Sequence, residues 1–194
     1  MSVFVEIGAA NTIIDENTSD TYYLFEPFRE SYEALTLKYQ DNPNITIYPV
    51  GLWHYATRLT LYETRKAECS SVFVPNRDII DRYPNPERFD VIRTHFVSVQ
   101  TLDSLIPTGT EIDQMTIDTQ GCELEILLGA RETLKSTKRV VCEVEFVELY
   151  KQQKLFDRLD EWMNHRGFKL DGYVREVFWG EDKIFGDAIY VKGE

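Results

Sequence analysis

The chain has 194 residues, 43% of them hydrophobic and 28% charged, with a formal net charge of −12. That length supports one domain, 1–194, with a real core. The acidic balance excludes a protein that grips nucleic acid by neutralising phosphates, and it disfavours an anionic membrane surface.

Three cysteines, Cys69, Cys122 and Cys142, with no CxxC pair imply reduced thiols, not a disulfide frame or zinc site. The N-terminus lacks a basic leader and Glu6 interrupts its apolar run, so a signal peptide is not expected. No apolar run approaches the roughly 20 residues of a membrane-spanning helix. These features imply a cytoplasmic protein.

In chain order, Val3 to Ile7 reads as a buried strand that ends in the turn Gly8-Ala9-Ala10-Asn11. Thr12 to Asp20 is polar and has no apolar stripe, so it predicts a loop or at most one turn, mobile without ligand, since a helix owes most of its stability to a buried face. Thr21 to Phe25 is a second strand, ending at Glu26-Pro27. Arg29 to Lys38 predicts a helix with Tyr32, Leu35 and Tyr39 on one side, and Ile45 to Val50 a third strand, ending at Gly51.

The stretch 53–100 is β-rich. Arg58 to Glu63 alternates like a half-exposed strand, Pro75 to Pro86 reads as a loop, and Val91 to Val99 as another strand. It is either an insertion covering a substrate or an ordinary connection. Thr101 to Leu105 predicts a short helix.

The stretch Ile112 to Ala130 organises the rest. Met115 to Ile117 predicts a buried strand, Asp118-Thr119-Gln120-Gly121 a polar turn, and Cys122 onward a helix. Leu124, Leu127 and Leu128 have the spacing of one apolar face. Glu123 and Glu125 suit the positive end of the helix, and Lys135, Lys138 and Arg139 suit its far end. Gly129 costs such a helix about 1 kcal/mol relative to alanine.

Arg139 to Phe146 then reads as a strand and Leu155, Phe156, Leu159, Trp162 and Met163 as a helical stripe that Gly167 terminates. Phe168 to Phe178 and Asp187 to Val191 close the chain as two strands. Strands alternating with helices imply a mostly parallel α/β sheet with right-handed crossovers.

Two constellations carry chemistry. Glu6, Gly8 and Glu26 place a glycine at one strand end and an acid at the next, 18 residues on. That is close to the roughly 20 expected of a nucleoside site, although the full glycine pattern is missing. Asp118, Glu143 and Glu145 lie near the ends of two strands, and Glu143 and Glu145 share a face. Neighbouring strands are about 4.8 Å apart, so two of these acids could share a pocket as a general base or a metal site. The bland alternatives are a helix cap at Asp118 and structural acids on the next strand. His54 is the best placed histidine. Cys122 reads as a small buried residue.

The segments VFVEIGA, LFEP, SSVF, TLDSL, IDQMTIDTQGCELEILLGA, VVCEVEFVELYKQQKLF and GDAIYVK, in this order, resemble the FkbM family of S-adenosylmethionine-dependent methyltransferases. The resemblance implies a Rossmann-like class I methyltransferase fold, with a seven-stranded sheet whose last strand is antiparallel and helices on both faces. It implies O-methylation of a small-molecule or sugar hydroxyl. It puts Glu6, Gly8 and Ala9 in the first cofactor motif and Glu26 on the ribose. Gly51 and Leu52 fall where adenine rests, and Asp118 to Gly121, including Gln120, in the motif facing the transferable methyl.

Asp118, Glu143 and Glu145 are the candidate catalytic residues. Asp118 and Glu143 would hold a divalent metal if one takes part. Three features depart from the family pattern: Ala10 and Thr12 in the first turn, the polar run in place of a first helix, and Thr116 in place of a lysine. The chain also begins at the first strand, so the expectation is a minimal member or one lacking part of the cofactor lid. The rival readings are a non-catalytic module of the same fold that has lost the cofactor and a nicotinamide-dependent oxidoreductase. The latter leaves the Asp118 block unexplained. Sequence does not reveal the oligomeric state.

Overall fold

The computed structural model describes residues 1–193. Its strands are β1 Val3–Ile7, β2 Thr21–Phe25, β3 Ile45–Tyr48, β4 Gly51–Leu52, β5 Thr57–Thr64, β6 Val91–Gln100, β7 Ile112–Ile117, β8 Thr137–Glu145, β9 Phe168–Trp179 and β10 Asp182–Lys192. Its α-helices are α1 Arg29–Tyr39, α2 Arg77–Ile80, α3 Glu123–Leu128 and α4 Phe156–Asn164. Seven strands join in the order β3-β2-β1-β7-β8-β10-β9, and β4-β6-β5 form a separate sheet. β1 runs parallel to β2 and β7, β2 parallel to β3, and β10 antiparallel to β9. This is the Rossmann-like class I methyltransferase architecture.

Two compact units divide the chain. The first comprises Met1–Arg58, Val97–Asp118 and Glu125–Val140. Its strands are rich in β-branched and aromatic residues that suit a pleated, buried surface, and Val5, Leu24, Ile112 and Met115 are fully buried. Leu35 and Tyr39 of α1 pack with Leu24, Ile45, Ala9 and Ile14.

The polar run Thr12 to Asp20 is a loop, as its composition predicts. It is pinned instead of coiled: Tyr39 Oη accepts from the Ile14 N–H (3.0 Å), and Asn42 Nδ2 donates to the carbonyls of Glu16 and Thr18 (2.9 and 3.1 Å).

Three elements in this part of the chain differ from expectation. The third strand stops at Tyr48 and β4 is a separate pairing with β6, Gly51 opposite Val99. The segment after Thr101 forms only a 3₁₀ turn, Leu102–Ser104. The helix after Gly121 is six residues long, and its buried side is Glu123, Ile126 and Leu127, one position away from the predicted leucine stripe. Lys138 and Arg139 do not attend its end. They lie in β8, where Lys138 pairs with Asp113 (2.7 Å) and Arg139 Nη1 donates to Gln114.

Gly129, costly for a helix, sits just past one. A Cβ there would lie 2.3 Å from the Trp53 carbonyl oxygen and 3.1 Å from His54 Cα. Both are backbone atoms and cannot swing aside. Gly129→Ala should therefore destabilise the fold by about 3 kcal/mol, the upper end for an overpacked site. At roughly 2–4 °C per kcal/mol for a chain of this size, a melting curve within a degree of the parent's would contradict this.

The second unit comprises Leu59–Phe96, Thr119–Leu124 and the chain from Val141. β9 and β10 form a hairpin registered from Trp179↔Asp182 to Phe168↔Lys192, with Gly180 at φ 66° in the turn. α4 buries Leu159 and Met163 and is followed by Gly167 at φ 81°, as its stripe and glycine predict. Cys69, Ile80, Phe89, Leu149, Tyr150 and Ile184 form a core cluster. Ile80 belongs to α2, which lies within the span expected to be loop. Four residues flanked by prolines carry no period long enough to announce a helix.

Candidate active site

In the first unit, the carboxyl ends of β1, β2 and β7 are laced together just past the strands. Gly8 N–H donates to Phe25 O, Asp118 N–H to Ile7 O, and Glu26 N–H to Tyr48 O, each at 3.1 Å. Gly8 has φ 83°, a left-handed conformation that favours glycine, and it leads into the 3₁₀ turn Ala9–Asn11. Ala9 is wholly buried in the α1 cluster, so its side chain serves the core and only its backbone can face a ligand.

Glu26 is 2% exposed, and its Oε1 accepts from Phe28 N–H at 2.8 Å. Burial pushes its carboxyl up to about 7, against the opposing pull of the N–H groups of Phe28 and Ala10. The same carboxyl thus ties the start of α1 to the turn after β1.

Glu6 lies on β1 next to Thr116 of β7, whose hydroxyl donates to Glu6 Oε1 at 3.2 Å. Gln114 Nε2 donates to Thr116 Oγ1 (3.3 Å) and Arg139 donates to Gln114, a polar chain across one sheet face. Thr116 therefore gives Glu6 a neutral donor where a lysine would supply a cation. Burial, the larger effect, raises Glu6 to about 7 despite the Thr116 bond.

For both acids the folded value lies above the 4.5 of the unfolded chain. Between those values the folded chain holds protons that the unfolded chain has released. Stability should fall as pH rises from about 4.5 to about 7 and level off above it, by at most about 3 kcal/mol per group. Denaturant unfolding at pH 5 and pH 8 checks this. Glu6→Gln and Glu26→Gln should each flatten the difference, and an unchanged difference would refute the assignment.

Gly51 lies tight against its neighbours: an added Cβ would meet Val99 Cγ1 at 3.1 Å. Leu52 is buried. His54 Nδ1 is 3.0 Å from Glu125 Oε2. Asp118 is exposed at the end of β7.

The second unit gathers the other acids. Glu143 and Glu145 are 4% and 2% exposed and Glu123 is 2% exposed. One carboxylate oxygen of each lies within 4.8 Å of the other two. Glu143 and Glu145 do share a face, as their spacing predicts, and their third member is Glu123, which sequence reading treated only as a first-turn acid.

Glu123 Oε1 accepts from Thr119 N–H (2.9 Å), Thr119 Oγ1 (3.0 Å) and Gly121 N–H (3.1 Å), which ties the polar turn to the first residue of α3. Its spacing to Ile126 and Leu127 is the signal that could have found it.

Gln120, at φ 60°, donates from Nε2 to Glu143, and its Oε1 accepts from the Tyr150 hydroxyl at 3.0 Å. Arg175 Nη2 lies 3.7 Å from Glu143 Oε1. Tyr150, also missed, is fully buried, and its hydroxyl contacts Cys69 O at 2.9 Å. Burial drives that phenol well above its ordinary range. Oxygen donors of this kind suit a hard divalent cation, and like charges this close favour a cation or a shared proton.

The family described as methyltransferase FkbM domain matches residues 3–170. The chain belongs to this family. It is similar to the crystal structure of an FkbM methyltransferase from Methylobacillus flagellatus KT, at TM-score 0.53 and 15% identity over 98% of this chain. This chain spans 43% of the length of that one. It is also similar, at TM-score 0.49, to the magnesium protoporphyrin IX methyltransferase from Synechocystis PCC 6803 with bound S-adenosylmethionine. Identity there is 8%, over 99% of this chain and 70% of that one. An rRNA methylase from Streptococcus thermophilus is similar at TM-score 0.49 and 11% identity, over 100% of this chain and 87% of that one. No curated protein matches. None of the described helices is long and apolar enough to cross a membrane.

Proposed function

We propose that this FkbM-family chain is an S-adenosylmethionine-dependent methyltransferase acting on the hydroxyl of a small molecule or sugar. One observation carries the reading: a left-handed glycine ends β1 beside a buried carboxyl at the end of β2. Glycine lets a ligand come close to the backbone, and a carboxylate can accept two ribose hydroxyls. These residue types fit the nucleoside of the cofactor, with Gly51 and Leu52 beside the adenine. Glu6, Gly8 and Ala9 complete the proposed cofactor set of this unit.

S-adenosylmethionine supplies a methyl group on a sulfonium, which leaves as a neutral thioether when the acceptor oxygen attacks. The protein's part is to hold the acceptor in line, a contribution of positioning that can reach several kcal/mol. Asp118, exposed at the end of β7, would take the hydroxyl proton. Glu143 and Glu145 remain candidate catalytic acids. The convergence of Glu123, Glu143 and Glu145 favours a second reading of that cluster, as the place for a divalent cation that assists the chemistry.

The stretch 53–100 is proposed to carry acceptor selectivity within a single cytoplasmic domain. Calorimetric titration with S-adenosylmethionine and S-adenosylhomocysteine tests the proposal. Saturable binding of both is expected, and binding of neither would leave a module that has lost the cofactor.

A further inference from the structure

Past the carboxyl end of β8 three aromatic rings converge. Phe146 follows Glu145 directly, Phe156 opens α4, and Tyr173 lies on β9. The Phe146 ring centroid is 5.0 Å from that of Phe156 and 6.3 Å from that of Tyr173, and Phe156 and Tyr173 are also 6.3 Å apart. The ammonium of Lys183, on β10, stands over two of these rings, 4.0 Å from the Phe146 centroid and 3.8 Å from the Tyr173 centroid. Its counter-ion is Glu176, at 2.5 Å.

Ring faces carry partial negative charge and attract cations, and a group of rings around one cation is how proteins recognise methylated ammonium groups. A primary ammonium suits such a site less well than an alkylated one, because it is compact and strongly hydrated. Added methyl groups would cover the ring faces and give up less water.

The site reaches solvent, since the Lys183 and Glu176 side chains are 24% and 42% exposed. Lys183 also sits near the Gly180 turn, where the β9–β10 register shifts between Lys183 and Phe185. An irregular hairpin end is where a side chain can swing out at small cost. Phe146 lies just past the carboxyl end of β8, the side on which open α/β sheets hold ligands.

We propose that Phe146, Phe156 and Tyr173 form a binding site for a small alkylammonium ligand, which the Lys183 ammonium fills in the free protein. A ligand of this class would displace Lys183 and take Glu176 as its counter-ion. The inference is independent of the methyl-transfer reading and needs no acceptor to be known.

Tetramethylammonium chloride, titrated into the full chain against sodium chloride at equal ionic strength, tests it. The ring resonances of Phe146 and Tyr173 report binding. Lys183→Met keeps the apolar stem and removes the occupant, so it should bind tetramethylammonium at least tenfold more tightly than the parent. Adding Phe146→Leu should return affinity to the parent's level. A Lys183→Met chain that binds no more tightly than the parent would overturn the proposal. So would one that loses its fold by circular dichroism, because the ammonium would then be a structural cation.

Discussion

Replacing Glu26 by alanine should weaken S-adenosylmethionine binding at least tenfold in a calorimetric titration. The proposed ribose contact uses a charged acceptor, and losing hydrogen bonds to such a group costs on the order of 1.5–3 kcal/mol. Alanine also frees the N–H groups of Phe28 and Ala10 that the carboxyl holds, so part of the loss could come from a loosened turn.

Glu26→Gln separates the two causes, because an amide keeps an acceptor for one of those N–H groups and removes the charge. Burial holds this carboxyl at about 7, so its charged form fades as pH falls through that value. Parent affinity should therefore drop between pH 8 and pH 6, and the glutamine variant should show no such drop. Equal affinity in Glu26→Ala and parent would remove Glu26 from the site.

The strands were legible because each pairs β-branched or aromatic runs with turn residues. Val3 to Ile7 and Thr21 to Phe25 fall where composition puts them, and the hairpin around Gly180 does too, although its second strand starts at Asp182, five residues before the expected Asp187. The α4 stripe and Gly167 were legible for the same reason, a 3.6-residue period closed by a left-handed glycine.

What sequence concealed was tertiary. Glu123 looks like any first-turn acid until the backbone N–H groups of Thr119 and Gly121 turn it inward. Lys138 and Arg139 look like cations at a helix end until Asp113 and Gln114 claim them from the neighbouring strand. Gly129 looks like a defect until the Trp53 carbonyl occupies the space of its missing Cβ. Thr116, read as a departure from the family pattern, is a donor to Glu6. For Lys138, Arg139, Gly129 and Thr116 the deciding partner lies far away in sequence, beyond the reach of local periodicity, whereas Glu123 is turned inward by the nearby loop it caps.

Asp118→Asn should lower turnover about 10²-fold or more while leaving cofactor affinity nearly unchanged. The substitution keeps the shape of the side chain and removes the charge that would receive the acceptor's proton, and general-base catalysis is worth that factor or more. A group that acts only on the way to the transition state should change kcat and kcat/KM together, with little effect on binding of S-adenosylhomocysteine.

The competing role for Asp118 is to cap the turn before α3, and asparagine caps about as well as aspartate. Turnover that barely moves would therefore assign Asp118 to structure and shift the search for a base to the remaining acids. An equal loss of cofactor affinity would place Asp118 against the cofactor instead of the acceptor. The comparison needs an acceptor, and a panel of sugars and polyketide alcohols assayed for S-adenosylhomocysteine release supplies the first candidates. With any acceptor in hand, a pH–rate profile in which the low-pH arm vanishes in Asp118→Asn would mark the carboxylate as the proton's destination.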